Sequence, residues 1–99
     1  MKFGTWVFPV SESSDLDGQV IDNTLEEIVL CDRLGYEAVW LSEHHFDGAV
    51  AYADPVSFAS SITQVTNNIK IGFAVVEMAL HHPVRLAAQT ALIDNLSTV

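Results

Sequence analysis

An acid and two imidazoles stand side by side at Glu43, His44 and His45, directly after an apolar run that begins at Ala38. Histidine exchanges protons near neutral pH, so this group suits acid–base chemistry. A short apolar run after a helical pattern predicts a buried parallel strand, and α/β folds place their chemistry where such strands end. Adjacent residues at a strand end point to opposite faces, so we expect only one of the two histidines to enter a pocket.

A metal site is the alternative that four histidines, Glu43 and Glu77 suggest. Metallohydrolase barrels place ligands at several strand ends, including the first. The first strand here ends at Trp6-Val7-Phe8-Pro9, which offers no ligand. We therefore expect no metal. Trp6 and Phe8 could line the pocket, but we favour a core position for both, as is usual for strand aromatics.

Three strands, each followed by a helix, are predicted to position these residues. The predicted strands are Lys2–Val10, the segment that begins at Ala38, and Ile69–Val76. The predicted helices are Asn23–Leu34, a second that Asp54-Pro55 opens and Asn67-Asn68 closes, and a third that begins at Pro83. Gly35 is expected to end the first helix, and His82 is expected to cap or pack against the third.

The β-α-β-α-β-α order, without a hairpin signal, predicts an α/β fold with parallel strands. Two architectures fit, a doubly wound sheet and a (β/α)8 barrel. A dinucleotide-binding sheet would carry G-x-G-x-x-G in its first βα turn, but this turn reads Phe8-Pro9-Val10-Ser11. We therefore favour the TIM barrel. A complete barrel takes ~250 residues, so residues 1–99 would supply its first three βα units, an incomplete barrel.

The composition excludes several classes of function. The net charge is −9, with four basic and 13 acidic residues, so we expect neither nucleic acid nor an anionic membrane surface as a partner. No apolar run reaches the ~20 residues of a membrane helix, and the N-terminus has no long apolar segment, so we expect a cytoplasmic protein. The single cysteine, Cys31, is expected to be a small buried residue.

Several motifs together resemble the N-terminal part of the bacterial luciferase-like flavin monooxygenases. The resemblance covers essentially the whole chain, and its most specific part is the pair E-H-H-F and H-P-V-R at this separation. The matching segments are Met1–Gly4, Leu34–Phe46, Asp54-Pro55, Ile71-Gly72, His82–Ala87 and Leu92–Ser97.

This resemblance implies a (β/α)8 barrel that uses reduced FMN, or the deazaflavin F420 in some branches. With FMN and O₂, such enzymes oxidise a small organic substrate such as an aldehyde. His44 matches the catalytic imidazole of the family, and Glu43 is expected to orient that imidazole or its surroundings. The family also has a non-prolyl cis peptide against the flavin ring, which maps to Ala74-Val75. Glu43, Ala74 and Val75 are therefore the expected cofactor-binding residues.

The resemblance also implies partners and leaves alternatives open. Family members commonly form homodimers or heterodimers, and some receive reduced flavin from a reductase. The family pattern continues Leu-Ser-x-Gly-Arg, whereas this chain ends Leu96-Ser97-Thr98-Val99, and the phosphate site lies on later strands. We therefore expect a fragment that is inactive alone. The alternatives are a non-catalytic support subunit of a luciferase-like heterodimer and an F420-dependent oxidoreductase.

Overall fold

A computed structural model describes residues 1–99 and shows three consecutive βα units. The strands are parallel and are hydrogen-bonded in the order β1-β2-β3, as predicted. None of the helices combines the length and the apolar composition that crossing a bilayer requires. The strands are β1 (Gly4–Val7), β2 (Ala38–Leu41) and β3 (Lys70–Phe73), and the helices are α1 (Asp17–Arg33), α2 (Pro55–Thr63) and α3 (Pro83–Leu96).

The three helices bury one face of the sheet. Val39 and Leu41 of β2 are fully buried there, together with Ile28 of α1 and Ile62 of α2. Successive strand residues alternate between faces, so the neighbouring positions lie on the opposite, uncovered face. The core contains Val7, Ile28, Cys31, Val39, Leu41, Val56, Phe58, Ala59, Ile62, Ile69, Leu86 and Ile93. The predicted burial of Cys31 is thus confirmed.

The uncovered face of the sheet carries a row of paired residues, Trp6, Trp40 and Gly72. The indole of Trp40 lies over glycines on both neighbouring strands. A Cβ on Gly4 would be 3.0 Å from its Nε1, and a Cβ on Gly72 would overlap its six-membered ring. Both glycines therefore provide the space that this large ring occupies.

Helix α1 begins six residues before the predicted start at Asn23. The Ser13 hydroxyl accepts a hydrogen bond from the Asp15 amide and caps a 3-10 turn, Ser14–Leu16, which runs directly into α1. Asn23 lies inside the helix, where its side chain accepts a hydrogen bond from Gln19. The polar pattern at Asn23 resembles a cap, but α1 has no capping side chain of its own, and Ser13 caps the 3-10 turn that precedes it.

Helices α2 and α3 begin where the sequence predicts, whereas several elements end earlier than predicted. Asp54 caps α2 by accepting hydrogen bonds from two backbone amides, and Pro83 begins α3. Gly35 follows α1 with a φ of 82°, a conformation that favours glycine. Helix α2 ends at Thr63 rather than at Asn67-Asn68. The first and third strands are shorter than predicted, because Pro9 follows β1 closely and the chain turns away from β2 after Ala74.

A buried carboxylate, Asp32, holds the N-terminal end of β3. It accepts hydrogen bonds from the backbone amides of Asn67 at 2.9 Å, Asn68 at 2.9 Å and Ile69 at 2.8 Å. Burial alone would raise the pKa of Asp32, but these three hydrogen bonds outweigh it and lower the pKa below the ordinary value of 3.8. The end of α1 is thereby joined to the start of β3.

Candidate functional site

The loops that follow the three strands emerge at one edge of the sheet, because parallel strands end at the same side. This C-terminal edge carries all the site residues that the sequence predicts. They come from two of the loops, after β2 and after β3. The 3-10 turn Met78–Leu80 lies in the second of these loops and leads towards α3.

His44 is exposed at this edge beside two aromatic rings. Its imidazole meets Phe8 edge to face, with ring centroids 4.7 Å apart, and Phe8 stacks on Trp6 at 5.4 Å. Trp6 is 55% exposed, so of the two positions that the sequence left open for it, the favoured core position is wrong. The reason is its register, which places it on the uncovered face. His44 therefore stands at the end of an aromatic wall formed by Trp6 and Phe8.

The peptide bond between Ala74 and Val75 is cis, as the family resemblance implied. The Ala74 amide donates to the Leu41 carbonyl at 2.7 Å, and the Ala74 carbonyl accepts a hydrogen bond from Nε1 of Trp6 at 3.4 Å. Val75 is exposed. Ala74 is thus linked to the end of β2 and to the Trp6 side chain of β1, next to the aromatic wall.

Glu43 points away from solvent and gathers three groups around its carboxylate. Nε2 of His45 lies 2.9 Å from Oε2, and Nε2 of His81 lies 2.8 Å from Oε1. The Glu77 amide donates to Oε1 at 3.3 Å. Burial alone would raise the pKa of Glu43, but hydrogen bonds from His81, His45 and the Glu77 amide outweigh it and lower the pKa. The carboxylate therefore stays ionised in a buried position.

The family resemblance led us to expect that Glu43 orients the imidazole of His44 or its surroundings. In the structure, the side chains that contact Glu43 directly are those of His45 and His81. Sequence reasoning missed His81 as a partner, because it lies 38 residues further along the chain. The available signal was the parallel topology, which brings the loops after β2 and β3 together. His82, by contrast, caps α3 as expected, its Nδ1 accepting from the Val84 amide at 3.2 Å.

No set of three or more His, Cys, Asp or Glu side chains has an arrangement that could hold a metal ion. The imidazoles of His45 and His81 are instead directed at the carboxylate of Glu43. A flavin fits the neighbouring surface better, since the isoalloxazine is planar and apolar over much of its area. Trp6 and Phe8 are parallel to within 6°, and the Ala74-Val75 peptide lies beside them.

Several known proteins that match this chain are named as monooxygenases. A model of the luciferase-like monooxygenase family matches residues 1–98. Limonene 1,2-monooxygenase of Rhodococcus erythropolis is 36% identical over 97 residues, which cover 98% of this chain and 25% of that protein. The alkanal monooxygenase beta chain of Photobacterium leiognathi is 31% identical over 99 residues, which cover 98% of this chain and 30% of that protein. The chain thus spans about a quarter to a third of the length of these relatives.

Solved monooxygenase structures have the same fold as this chain over a part of their length. Monooxygenase RslO1 from Streptomyces bottropensis matches 98% of this chain with a TM-score of 0.89 and 32% identity, over 30% of its own length. The oxygenating constituent of 3,6-diketocamphane monooxygenase from Pseudomonas putida, solved with FMN, matches 97% of this chain with a TM-score of 0.87. It is 21% identical, is covered over 26% of its length, and supports the fold alone.

Three parallel βα units with their polar side chains gathered at the C-terminal edge have the fold of a segment of a TIM barrel. The chain belongs to the luciferase-like monooxygenase family.

Proposed function

We propose that this chain is the N-terminal part of a flavin-dependent monooxygenase that uses reduced FMN and O₂ to oxidise a small organic substrate, such as an aldehyde. The observation that carries this proposal is the surface at the C-terminal edge. It combines the exposed imidazole of His44, the aromatic wall and the Ala74-Val75 peptide. Membership of a monooxygenase family supports the reaction class.

In this proposal, the residues at the C-terminal edge of the sheet have different roles. When bound, reduced flavin would react with O₂ and so provide the oxidising chemistry. Ala74 and Val75 lie against its ring system, and Glu43 supports the surroundings of the site from its buried position. His44 gives or takes a proton close to the flavin, since an imidazole exchanges protons near neutral pH. The ring of Phe8 is packed against that imidazole, with ring centroids 4.7 Å apart.

We further propose that additional βα units complete the barrel and provide the phosphate site, so that residues 1–99 alone do not turn over. A groove of about 480 Å³ beside β3 and α3 supports this, because Ile71, Phe73 and Ile93 line it. This largest cavity lies along the free side of β3 rather than at the C-terminal edge. A fourth strand and its helix would fill such a groove in a closed barrel.

The whole enzyme is proposed to work in the cytoplasm as a homodimer or heterodimer, with reduced flavin delivered by a reductase. Exposed apolar residues on α3, such as Val84 and Leu92, are compatible with a subunit contact. Light scattering on the complete barrel tests this, and a monomer would contradict it.

The decisive experiment replaces His44 in the complete barrel encoded by the full reading frame. His44→Ala is expected to lower the rate of substrate oxidation by about 10²–10⁴-fold, the range for losing a general acid or base. The affinity for reduced FMN should remain within about threefold, because the imidazole acts on the reaction rather than on ground-state binding. His82→Asn is the matched control, since asparagine retains the cap of α3. Unchanged turnover in His44→Ala would contradict the assigned role.

Similarity to the alkanal monooxygenase beta chain favours a second candidate, a non-catalytic support subunit. Binding of reduced flavin by the complete barrel separates the two. Failure to bind FMN, combined with tight association with a paralogous chain, would favour the support subunit. A parallel titration with F420 distinguishes the remaining alternative, an F420-dependent oxidoreductase of the same fold.

A further inference from the structure

The carboxylate of Glu43 is almost completely buried, so its role must be inferred from the groups that it contacts. Its side chain is 1% exposed, and both carboxylate oxygens are occupied by protein donors. Buried carboxylates are held in place by such hydrogen bonds, and removal of one partner leaves the remaining group unsatisfied. The carboxylate therefore acts through the groups that surround it.

Most of these groups belong to the connection between β3 and α3. Hydrogen bonds from His81 and the Glu77 amide reach Glu43 across 38 and 34 residues of sequence. Of the hydrogen bonds made by residues 75–82, only these two groups reach another element of the fold. The remaining ones, such as Leu80 amide to Glu77 carbonyl, stay within the connection or join it to α3. Most residues of the connection are exposed, and Val76 is the one apolar residue among them that packs against the core, so Val76 and these two hydrogen bonds fix the connection.

This same connection begins with the peptide that the proposed flavin site needs. Ala74 is fixed on one side by the Leu41 carbonyl and by Trp6. On the other side, the chain passes through the exposed Val75 before Glu77 and His81 reach the buried carboxylate. The position of Val75 is thus set from both ends.

We infer that Glu43 is a positioning residue, which ties residues 77–81 to the end of β2 and thereby holds Ala74 and Val75 in place for the flavin. The flavin part of this inference rests on the proposed function. The side chain of Glu43 is buried, and we infer that it acts through His81 and the Glu77 amide. His45 completes the shell of donors around the carboxylate.

The test compares variants of the complete barrel by hydrogen exchange of residues 75–81 and by titration with FMN. Glu43→Ala removes the tie entirely. His81→Ala removes the shortest link from a partly exposed position, and so guards against a Glu43 variant that does not fold. Glu43→Gln retains an oxygen that can accept from His81 and the Glu77 amide. Asp32→Asn is the control, a similarly buried carboxylate at the opposite edge of the sheet.

Exchange in residues 75–81 is expected to quicken by about tenfold in His81→Ala, which loses roughly one charge-assisted hydrogen bond, and by more in Glu43→Ala, which loses the links to both His81 and the Glu77 amide. FMN affinity should fall by about tenfold in the same variants, and Glu43→Gln should recover part of both effects. Asp32→Asn controls for general loss of stability: it should not quicken exchange in residues 75–81 more than in the rest of the chain, and it should leave the FMN affinity of the folded barrel unchanged. Unchanged exchange in both variants would overturn the tie, and weakened FMN binding with unchanged exchange would overturn positioning in favour of direct contact. If the unmodified barrel binds no FMN, the proposed function fails, while hydrogen exchange still tests whether Glu43 holds residues 77–81 in place.

Discussion

Replacement of Asp32 by asparagine tests how much one buried carboxylate stabilises this fold. Oδ1 of Asp32 accepts from the Asn68 and Ile69 amides, and Oδ2 accepts from the Asn67 amide. An asparagine oxygen can replace only one of these acceptors, and its NH₂ group then faces an amide donor. One orphaned buried donor costs about 1–3 kcal/mol, and two bonds weaken from charged to neutral by about 1 kcal/mol each. We expect the free energy of unfolding to fall by about 3–5 kcal/mol.

The pH dependence provides a second signature of the same substitution. Because the pKa of Asp32 is lower in the folded protein than its ordinary value of 3.8, its stabilising effect is present above pH 3.8. That effect is lost as the pH falls through the lowered folded value. Asparagine does not titrate, so the difference in stability between the unmodified protein and Asp32→Asn should shrink below pH 3.8.

Urea unfolding of the complete barrel, followed by tryptophan fluorescence at several pH values, measures both effects. Asp22→Asn is the matched control, because Asp22 is exposed on the same helix and should change stability by less than about 0.5 kcal/mol. A loss below about 1 kcal/mol for Asp32→Asn, or a difference that does not depend on pH, would refute the assigned role of these three hydrogen bonds.

Three further substitutions are checked by the same unfolding measurement. Gly72→Ala should destabilise the protein by about 1–3 kcal/mol, because its Cβ overlaps Trp40, whereas Gly18→Ala in open space should stabilise it by about 0.5–1 kcal/mol. Asp54→Ala should cost about 0.5–2 kcal/mol through the lost cap of α2, and Asp54→Ser should recover most of it. Gly35→Ala should cost about 1–2 kcal/mol, because the φ of 82° is strained for any residue with a Cβ.

The sequence was most informative where a single residue dictates local geometry. Pro55 and Pro83 lack an amide hydrogen and have a fixed φ, so each marks the first turn of a helix, and both helices begin there. The alternation of strands and helices predicted the parallel sheet for a similar reason, since crossovers between parallel strands need a helix's length of chain. Asn23 shows the limit, because a capping side chain and an ordinary helix-surface residue can have the same local pattern.

Other features of the site could not be read from local sequence. Two of the three partners of Glu43 lie 34 and 38 residues away, and only the folded sheet edge brings them to the carboxylate. The exposure of Trp6 depends on which face of β1 the helices cover, and helices that follow a strand do not by themselves determine that. The cis bond at Ala74-Val75 was expected from the family resemblance, since no rule of local propensity predicts a non-prolyl cis peptide.

Two buried carboxylates make the same kind of connection at opposite edges of the sheet. Asp32 extends from α1 to the backbone that enters β3, and Glu43 extends from the end of β2 to the backbone that leaves β3. Both have a lowered pKa because hydrogen-bond donors outweigh the effect of burial. In barrel enzymes the N-terminal edge serves stability and the C-terminal edge carries the chemistry. The same chemical device should therefore have separable consequences: loss of Asp32 should weaken the whole fold, and loss of Glu43 should loosen first the segment that holds Ala74 and Val75.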